Sequence, residues 1–192
     1  LNIGFNAHKL HGHIYDFSGK VSANPYLQFH WSYDLPKMPT VNAKAAIRWT
    51  DLNMLNFGNN TLSLSYLCAK QEFYLSNIKW RHIDIKAGVR NEVFDIRNIK
   101  SSQIIGDYDF DQLTNDFVSL YVDSRTDTFD DGYFPTTGVS AGLSYTWTFA
   151  GFPHRFNNFH TIQADAKTVV TVGDIFAFIP SVDCRFLLGK DV

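Results

Sequence analysis

The stretch DTFDDGYFPTTGVSAGLSYTWTF, residues 127–149, decides the fold. Small or polar residues fill every second position of its latter half, and the apolar positions between them are Val139, Ala141, Leu143, Tyr145, Trp147 and Phe149. Because successive side chains of a β-strand point to opposite faces, this alternation predicts a strand with one apolar and one polar face. Asp-Asp-Gly at 130–132 and Pro135 predict a turn just before it.

The same alternation recurs along most of the chain. Residues 26–35 and 41–51 are the clearest cases, and the short PKMP segment between them predicts a hairpin. We count about ten such strands, with short turns alternating with longer loops as in bacterial outer-membrane barrels. The predicted fold is therefore all-β: one domain over residues 1–192, an antiparallel up-and-down transmembrane β-barrel that is an incomplete part of a larger barrel.

Three segments interrupt the predicted strands. Residues 52–60 (LNMLNFGNN) are expected to form a turn, and the polar run Lys-Gln-Glu at 70–72 a second one. Residues 95–116 are long and polar, and they are expected to form a surface loop. The chain starts within a strand pattern and ends just past one, so we expect it to be an interior piece of a longer protein.

Composition excludes several classes of protein. The net charge of −2 gives no electrostatic basis for binding nucleic acid. Aromatic residues make up 16% of the chain, with 17 Phe against 2 Met, and this bias favours strands over helices. Mean hydropathy is −0.16, and no apolar run approaches the ~20 residues of a transmembrane helix. A barrel would escape such a scan, because lipid-facing and lumen-facing residues average to neutral.

The two faces of the strands predict two environments. The apolar positions expected to face lipid include Phe29, Trp31, Trp49, Leu143, Tyr145 and Trp147. The polar positions expected to face the lumen include His30, Lys44, Arg48, Asp84, Lys86 and Arg90, whose mixed charges could pair across strands. Alternation alone does not say which face points inwards, since a soluble sandwich would place the charges outside and the aromatics in its core.

One motif imitates an enzyme. GVSAG, residues 138–142, matches the G-x-S-x-G nucleophile elbow of serine hydrolases. That mechanism needs the serine on a strained turn between a strand and a helix, whereas Ser140 starts an alternating strand. No catalytic residue is therefore predicted in this segment.

Other residue clusters are interpreted as structural. His8, His11 and His13 lie on a polar connection without carboxylates at useful positions, so a solvated loop is favoured over a metal site. Asp107, Asp109 and Asp111 begin like a calcium loop, but the later ligand positions are absent. Cys68 and Cys184 form no framework, although they could pair. No metal and no cofactor is predicted.

Several short motifs resemble one family. YFPTTG (133–138) after an acidic pair and before an alternating strand resembles the signature turn of BamA-type surface-antigen barrels of the bacterial outer membrane. LNIGF (1–5), DLNMLNFG (51–58) and IPSVDCRFLLGKD (179–191) are similar to other parts of the same barrels. The signature residues here are Asp130, Tyr133, Phe134, Pro135 and Gly138. The resemblance extends most closely to the barrel that follows the phospholipase domain in patatin-like proteins of Bacteroidetes.

This resemblance implies a location and a role. The chain would lie in the bacterial outer membrane, contact its lipid and lipopolysaccharide, and anchor or export a patatin-like phospholipase domain encoded upstream in the same polypeptide. Two alternatives stay open: a general outer-membrane assembly or translocation barrel, and a soluble all-β ligand-binding module. The Arg-Gly-Phe lumen-loop motif of the assembly and secretion members is not visible in the sequence, which weighs against the first alternative.

Overall fold

A computed structural model describes residues 2–10, 12–22, 24–56, 59–101, 114–131, 133, 135–152, 157–173 and 176–189. Their strands are β1 (Asn2–Leu10), β2 (His13–Lys20), β3 (Tyr26–Tyr33), β4 (Thr40–Asn56), β5 (Asn59–Trp80), β6 (Ile83–Ser101), β7 (Thr114–Asp127), β8 (Val139–Phe152), β9 (Phe159–Thr168), β10 (Val170–Val172), β11 (Phe176–Phe178) and β12 (Ser181–Gly189). Among these residues, no helix is long and apolar enough to cross a membrane.

Ten of the strands form one antiparallel sheet. Each strand from β1 to β9 pairs with its neighbour in sequence, and β12 pairs with β9 after the short β10–β11 hairpin. This up-and-down order confirms the predicted fold class, because it is the topology of a meander that curls into a barrel. The chain is thus part of a β-barrel.

The strand ends are staggered across the sheet. One row of paired residues connects Trp31 of β3 to Trp147 of β8 through the intervening strands. Trp31 lies two residues before the end of β3 at Tyr33, whereas Trp147 lies eight residues after the start of β8 at Val139. Both distances are measured to the same end of the sheet, because the end of β3 and the start of β8 lie at that end. The row of paired residues is therefore further from this end in β8 than in β3, which means that the strands are shifted along their length relative to one another. Such a shear accompanies strand tilt in closed barrels.

Burial is inverted relative to a water-soluble domain. Among the described side chains, the buried polar ones are Ser32, Thr40, Asn42, Glu72, Ser119, Ser140 and Thr148, whereas the buried hydrophobic core consists of Tyr121. Large apolar side chains, such as Phe73 and Leu143, are more than half exposed on the opposite face. The concave inner face of the sheet is therefore polar, and the convex outer face is apolar. This arrangement corrects the alternative of a soluble sandwich, which requires an apolar core between two sheets.

Three expected interruptions are wrong or misplaced. Residues 70–72 lie inside β5, which is 22 residues long, so no turn forms there. The turn expected over residues 52–60 shrinks, since β4 continues to Asn56 and β5 begins at Asn59. The loop expected over residues 95–116 begins later, because β6 continues to Ser101; residues 102–113 lie outside the described part. In each case hydrogen bonding to the neighbouring strands outweighs the local preference of polar residues for a turn or loop. Polar side chains are accommodated in these strands because the inner face is itself polar.

Gly88 of β6 lies at the centre of the inner face. It pairs with Tyr74 on β5 and with Tyr121 on β7. A Cβ atom at this position would collide with the Tyr74 Cβ and lie 2.5 Å from the Phe73 carbonyl oxygen. The absence of a side chain therefore allows β5 and β6 to approach while two tyrosines flank the gap.

Replacing this glycine should destabilise the sheet. Gly88→Ala is expected to lower the free energy of unfolding by about 1–3 kcal/mol, because the methyl group overpacks a backbone contact. Urea titration of the detergent-folded protein measures the loss. Gly4→Ala is the matched control, since a Cβ there meets no atom within 4 Å. Equal stability of the two variants would contradict the close packing at Gly88.

Candidate functional site

The strand register aligns one row of polar side chains across the inner face. Asp16 pairs with His30, His30 with Lys44, Lys44 with Glu72, and Glu72 with Arg90. Directly opposed residues in adjacent strands are close neighbours, so each of the two acidic residues of this inner row, Asp16 and Glu72, lies beside a basic one. The inner row extends through five strands, from β2 to β6.

Glu72 lies at the centre of the inner row. Its side chain is 4% exposed, and its Oε1 accepts a hydrogen bond from Arg90 Nε at 2.8 Å. Lys70 Nζ lies 3.4 Å from the same oxygen and 3.7 Å from Glu92 Oε1. A buried carboxylate needs this compensation, because removing its partners would leave an unpaired charge away from water.

His30 connects the inner row to a second group of polar side chains. Its Nδ1 lies 3.4 Å from Asp16 Oδ2, and its Nε2 lies 3.2 Å from both Asn42 Oδ1 and the Tyr74 hydroxyl. The Asn42 amide in turn donates to Ser76 Oγ at 2.8 Å. These contacts hold the imidazole ring between three strands.

Two tyrosine rings extend the network beside Gly88. Lys86 Nζ lies 4.1 Å from the centroid of the Tyr74 ring and 5.0 Å from that of Tyr121. The Arg90 guanidinium carbon lies 4.5 Å from the Tyr121 centroid. Cations over aromatic faces are attracted by the ring quadrupole, so the rings partly compensate Lys86 and add to the compensation that Glu72 gives Arg90.

A cavity of about 660 Å³ opens next to the inner row. Lys44, Arg48, Lys70 and Glu92 supply its charged groups. The other side chains in its wall are Ser18, Tyr26, Gln28, Ala46, Ile47, Thr50, Tyr66, Cys68 and Phe94. Its lining is mixed in charge and partly aromatic, which suits a wet space better than a dry core.

The outer face carries a matching apolar row. Its members, paired in sequence across eight strands, are Tyr15, Trp31, Ala43, Phe73, Val89, Leu120, Trp147 and His160. Stacked aromatic groups lie at both ends of this row, with His13 against Tyr33 on one side and Trp147 against His160 on the other. Because the strands are staggered, these two groups lie towards opposite ends of the sheet.

The predicted site residues separate onto the two faces. Phe29, Leu143 and Tyr145 are exposed on the outer face, and Trp31, Trp49 and Trp147 are half-buried on that same face. His30, Lys44, Lys86 and Arg90 are half-buried on the inner face, where Arg48 and Asp84 are exposed. The structure thus groups them by face as the alternation predicted, while their contacts with lipid or lumen stay predictions.

Three important inner residues were missed by sequence reasoning. Glu72 was placed in a turn, and no special role was given to Tyr74 or Tyr121. The available signal was the alternation of side chains along each strand. Glu72 and Tyr74 are an even number of positions from the charged residue Lys70, and Tyr121 is an even number of positions from Asp123, so each shares a face with a charged side chain. The pairing between β5, β6 and β7 could not be deduced from that alternation.

The turn between β7 and β8 contains the YFPTTG motif. Asp130 closes it: its carboxylate accepts hydrogen bonds from the Thr136 hydroxyl and from the backbone N–H groups of Thr136 and Thr137, at 2.9 and 3.1 Å. Pro135 is buried and Tyr133 exposed, while Phe134 lies outside the described residues. Gly138 has a φ of +120°, and a Cβ there would lie 2.5 Å from the Thr128 carbonyl oxygen. Aspartate and glycine are thus required by the turn geometry itself.

The enzyme-like and metal-like motifs gain no support. Ser140 lies in β8, 2% exposed on the inner face, and no helix follows it among the described residues. His13 stacks on Tyr33 and accepts a hydrogen bond from Trp31 Nε1 at 3.1 Å; the His8 side chain, His11 and residues 107–111 lie outside what the structure describes. Among the residues described, no cluster of three or more His, Cys, Asp or Glu is arranged to hold a metal. Cys68 and Cys184 are free thiols.

These faces define the class of protein. A long antiparallel meander with a sheared register, an apolar exterior and a charged, compensated interior is part of a transmembrane-type β-barrel. The family model of the OMP85 superfamily matches residues 28–192, and the chain belongs to this superfamily of outer-membrane assembly and translocation barrels. A search of curated proteins found no match.

Removing the central carboxylate should destabilise the interior. Glu72→Ala is expected to lower the free energy of unfolding by about 3 kcal/mol or more, because it leaves Arg90 facing the interior without its acceptor. Denaturant titration in detergent measures this. Glu92→Ala is the matched control on the next strand: its ion pair with Lys70 is long and more exposed, so a loss below about 1 kcal/mol is expected. A Glu72 loss no larger than the Glu92 loss would contradict the central role of the carboxylate.

The turn should resist acid. The Thr136 hydroxyl, followed by the Thr137 and Thr136 amides, lowers the pKa of Asp130 from 3.8 to about 2. Since the folded pKa is depressed, the carboxylate stabilises the turn above pH 3.8, and this stabilisation is lost as the pH falls through about 2. The NMR shifts of the Thr136 and Thr137 amides should therefore titrate with a midpoint near that lower value. Asp130→Asn should abolish the titration and Asp127→Asn should keep it; a midpoint at 3.8 or above would refute the hydrogen bonding.

Proposed function

We propose that this chain forms part of a β-barrel embedded in the bacterial outer membrane, with its outer face against lipid and its inner row facing a wet lumen. The inverted burial carries this proposal. Leu143 is 52% exposed while Glu72, on the opposite face, is buried. A water-soluble protein would have to leave an apolar surface across seven strands, from Tyr15 of β2 to Trp147 of β8, in water, which monomeric soluble proteins avoid.

The physical role follows from the ladder. In hydrocarbon every backbone N–H and C=O must be satisfied within the protein, and antiparallel neighbours provide those partners for each strand. The outer row supplies the lipid contact, with stacked aromatic groups towards both ends where the amphipathic rings suit the membrane interface. The inner row supplies a charged surface whose members compensate one another. The membrane partners would be outer-membrane lipid and lipopolysaccharide.

The more specific role is to anchor or export a patatin-like phospholipase domain encoded upstream in the same polypeptide. Its support is the resemblance of the YFPTTG turn and of residues 1–5, 51–58 and 179–191 to barrels that follow such domains. Ser140 is buried within a strand, so its G-x-S-x-G match gives no reason to place the hydrolysis in this segment, and in this proposal the hydrolysis belongs to the upstream domain.

A second candidate is a general assembly or translocation barrel. The superfamily match favours it, since that match covers residues 28–192 and belongs to barrels of this kind. The two candidates differ in what lies upstream of the barrel. Periplasmic repeat domains would indicate the assembly function, and a hydrolase domain with its own Ser-Asp dyad would indicate the anchoring function.

Arginine substitutions on the two faces test the membrane orientation. Leu143→Arg is expected to lower the free energy of unfolding in bilayers by about 2–4 kcal/mol, as for an arginine at a bilayer midplane. Ser144→Arg should change the free energy of unfolding little. Ser144 is the matched control because its hydroxyl donates to Asp123 Oδ1 at 2.6 Å, so an arginine there meets a carboxylate. Equal tolerance at both positions would refute a lipid-facing outer face.

The upstream domain is tested with the whole gene product. In intact cells, external protease should remove phospholipase activity from the membrane fraction, because the barrel would present the domain at the surface. Deleting residues 1–192 should release that activity from the outer membrane. Membrane retention after the deletion, or a gene product without lipid acyl hydrolase activity, would contradict the anchoring function and leave the general barrel function standing.

A further inference from the structure

The β10–β11 hairpin exposes four apolar side chains on one side. Val170, Val172, Phe176 and Phe178 are 47, 64, 71 and 66% exposed. Val170 pairs with Phe178 and Val172 with Phe176, so the four side chains form two cross-strand pairs on a single face. None of them carries a polar atom that would favour water over an apolar environment.

The hairpin continues the ladder of β9 and β12 without a change of register. Lys167 pairs with Ser181, and three residues further along each strand Val170 pairs with Phe178. The intervening Thr168 N–H still donates to the Pro180 carbonyl oxygen at 3.3 Å. Because side-chain direction alternates with a period of two, the exposed hairpin face continues the outer face of the sheet.

The opposite side of the hairpin is tied to the turn between β7 and β8. Thr171 Oγ1 donates to the Thr136 carbonyl oxygen at 2.8 Å, and the Val169 N–H donates to the Gly138 carbonyl oxygen at 3.3 Å. The Thr171 side chain lies on the face opposite Val170 and Val172, so its bond ties that face to the YFPTTG turn, whereas the Val169 bond continues the backbone ladder between β8 and β9. The apolar side of the hairpin is therefore held outwards.

The hairpin also extends beyond its neighbour. β8 begins at Val139, which pairs with Thr168, so the hairpin adds three residue pairs past that point, about 10 Å along the strands. The outer apolar positions of this strand pair run from Leu188 and Phe186 through Val182 to the hairpin. That run exceeds the 9–11 residues, roughly, with which a tilted strand crosses the hydrocarbon core.

We propose that the β10–β11 hairpin is a membrane-interface anchor that inserts Val170, Val172, Phe176 and Phe178 into the boundary between lipid headgroups and acyl chains. This inference rests on the proposed membrane function. The occupant is lipid because the four side chains extend the same outer face that the barrel turns towards lipid. Because the hairpin is hydrogen-bonded to the YFPTTG turn, its insertion would fix the position of that turn along the membrane normal.

Depth-dependent quenching tests the anchor. The whole protein carrying Cys68→Ser and Cys184→Ser receives one cysteine at a time, as Phe178→Cys, Leu143→Cys or Ala177→Cys. Each is labelled with the fluorophore NBD and reconstituted in phosphatidylcholine vesicles containing lipids with nitroxide at a shallow or a deep acyl position. Leu143 reports the outer face of the barrel, and Ala177, which pairs with Thr171, is the matched control on the other side of the hairpin.

The result expected is that shallow nitroxide removes about half of the fluorescence at position 178 and little at position 177, as for an apolar group buried just below the headgroups. Quenching at position 143 without quenching at position 178 would overturn the anchor and keep the barrel. No quenching at either position would overturn the proposed membrane function and the anchor with it. Equal quenching at positions 177 and 178 would also overturn the one-sided insertion.

Discussion

The ladder of antiparallel backbone hydrogen bonds from β1 to β9 and β12 is the constraint on which the rest of the structure depends. It fixes the register, and the register decides which side chains share a row. A slip of one residue in any strand would exchange its two faces and place charges such as Glu72 on the apolar exterior. The inner row of acidic and basic side chains and the outer row of mainly apolar side chains are thus two consequences of one pairing scheme.

The two faces contribute differently to the protein. The inner face needs specific partners, because Glu72 is buried and compensated by Arg90 and Lys70. The outer face would need none in the proposed membrane setting, since apolar side chains against lipid require only area. Function is therefore expected to depend on the interior and on the turns, whereas the exterior should tolerate exchange among apolar residues. The turn between β7 and β8 is the most specified of these, with Asp130 and Gly138 each demanded by backbone geometry.

Much of the fold was predictable because alternation is a local property. The strand of residues 139–149 and the hairpin of residues 26–51 were read from two-residue periodicity, and the structure confirms both as β8 and as β3–β4. Periodicity did not predict the strand correctly where polar side chains lie on both of its faces. Residues 70–72 looked like a turn because Lys, Gln and Glu succeed one another, yet only Gln71 faces outwards and the other two belong to the inner face. The Asp16–His30 and Glu72–Arg90 pairings could not be deduced, since they depend on register between strands and not on any single strand.

The measurement that tests the central claim most directly is fractionation of cells expressing the whole gene, followed by electrophoresis of the membrane pellet with and without boiling. A barrel in the outer membrane predicts a band in the outer-membrane fraction that migrates differently once boiling unfolds it. A band in the soluble fraction whose migration is unchanged by boiling would contradict the membrane barrel.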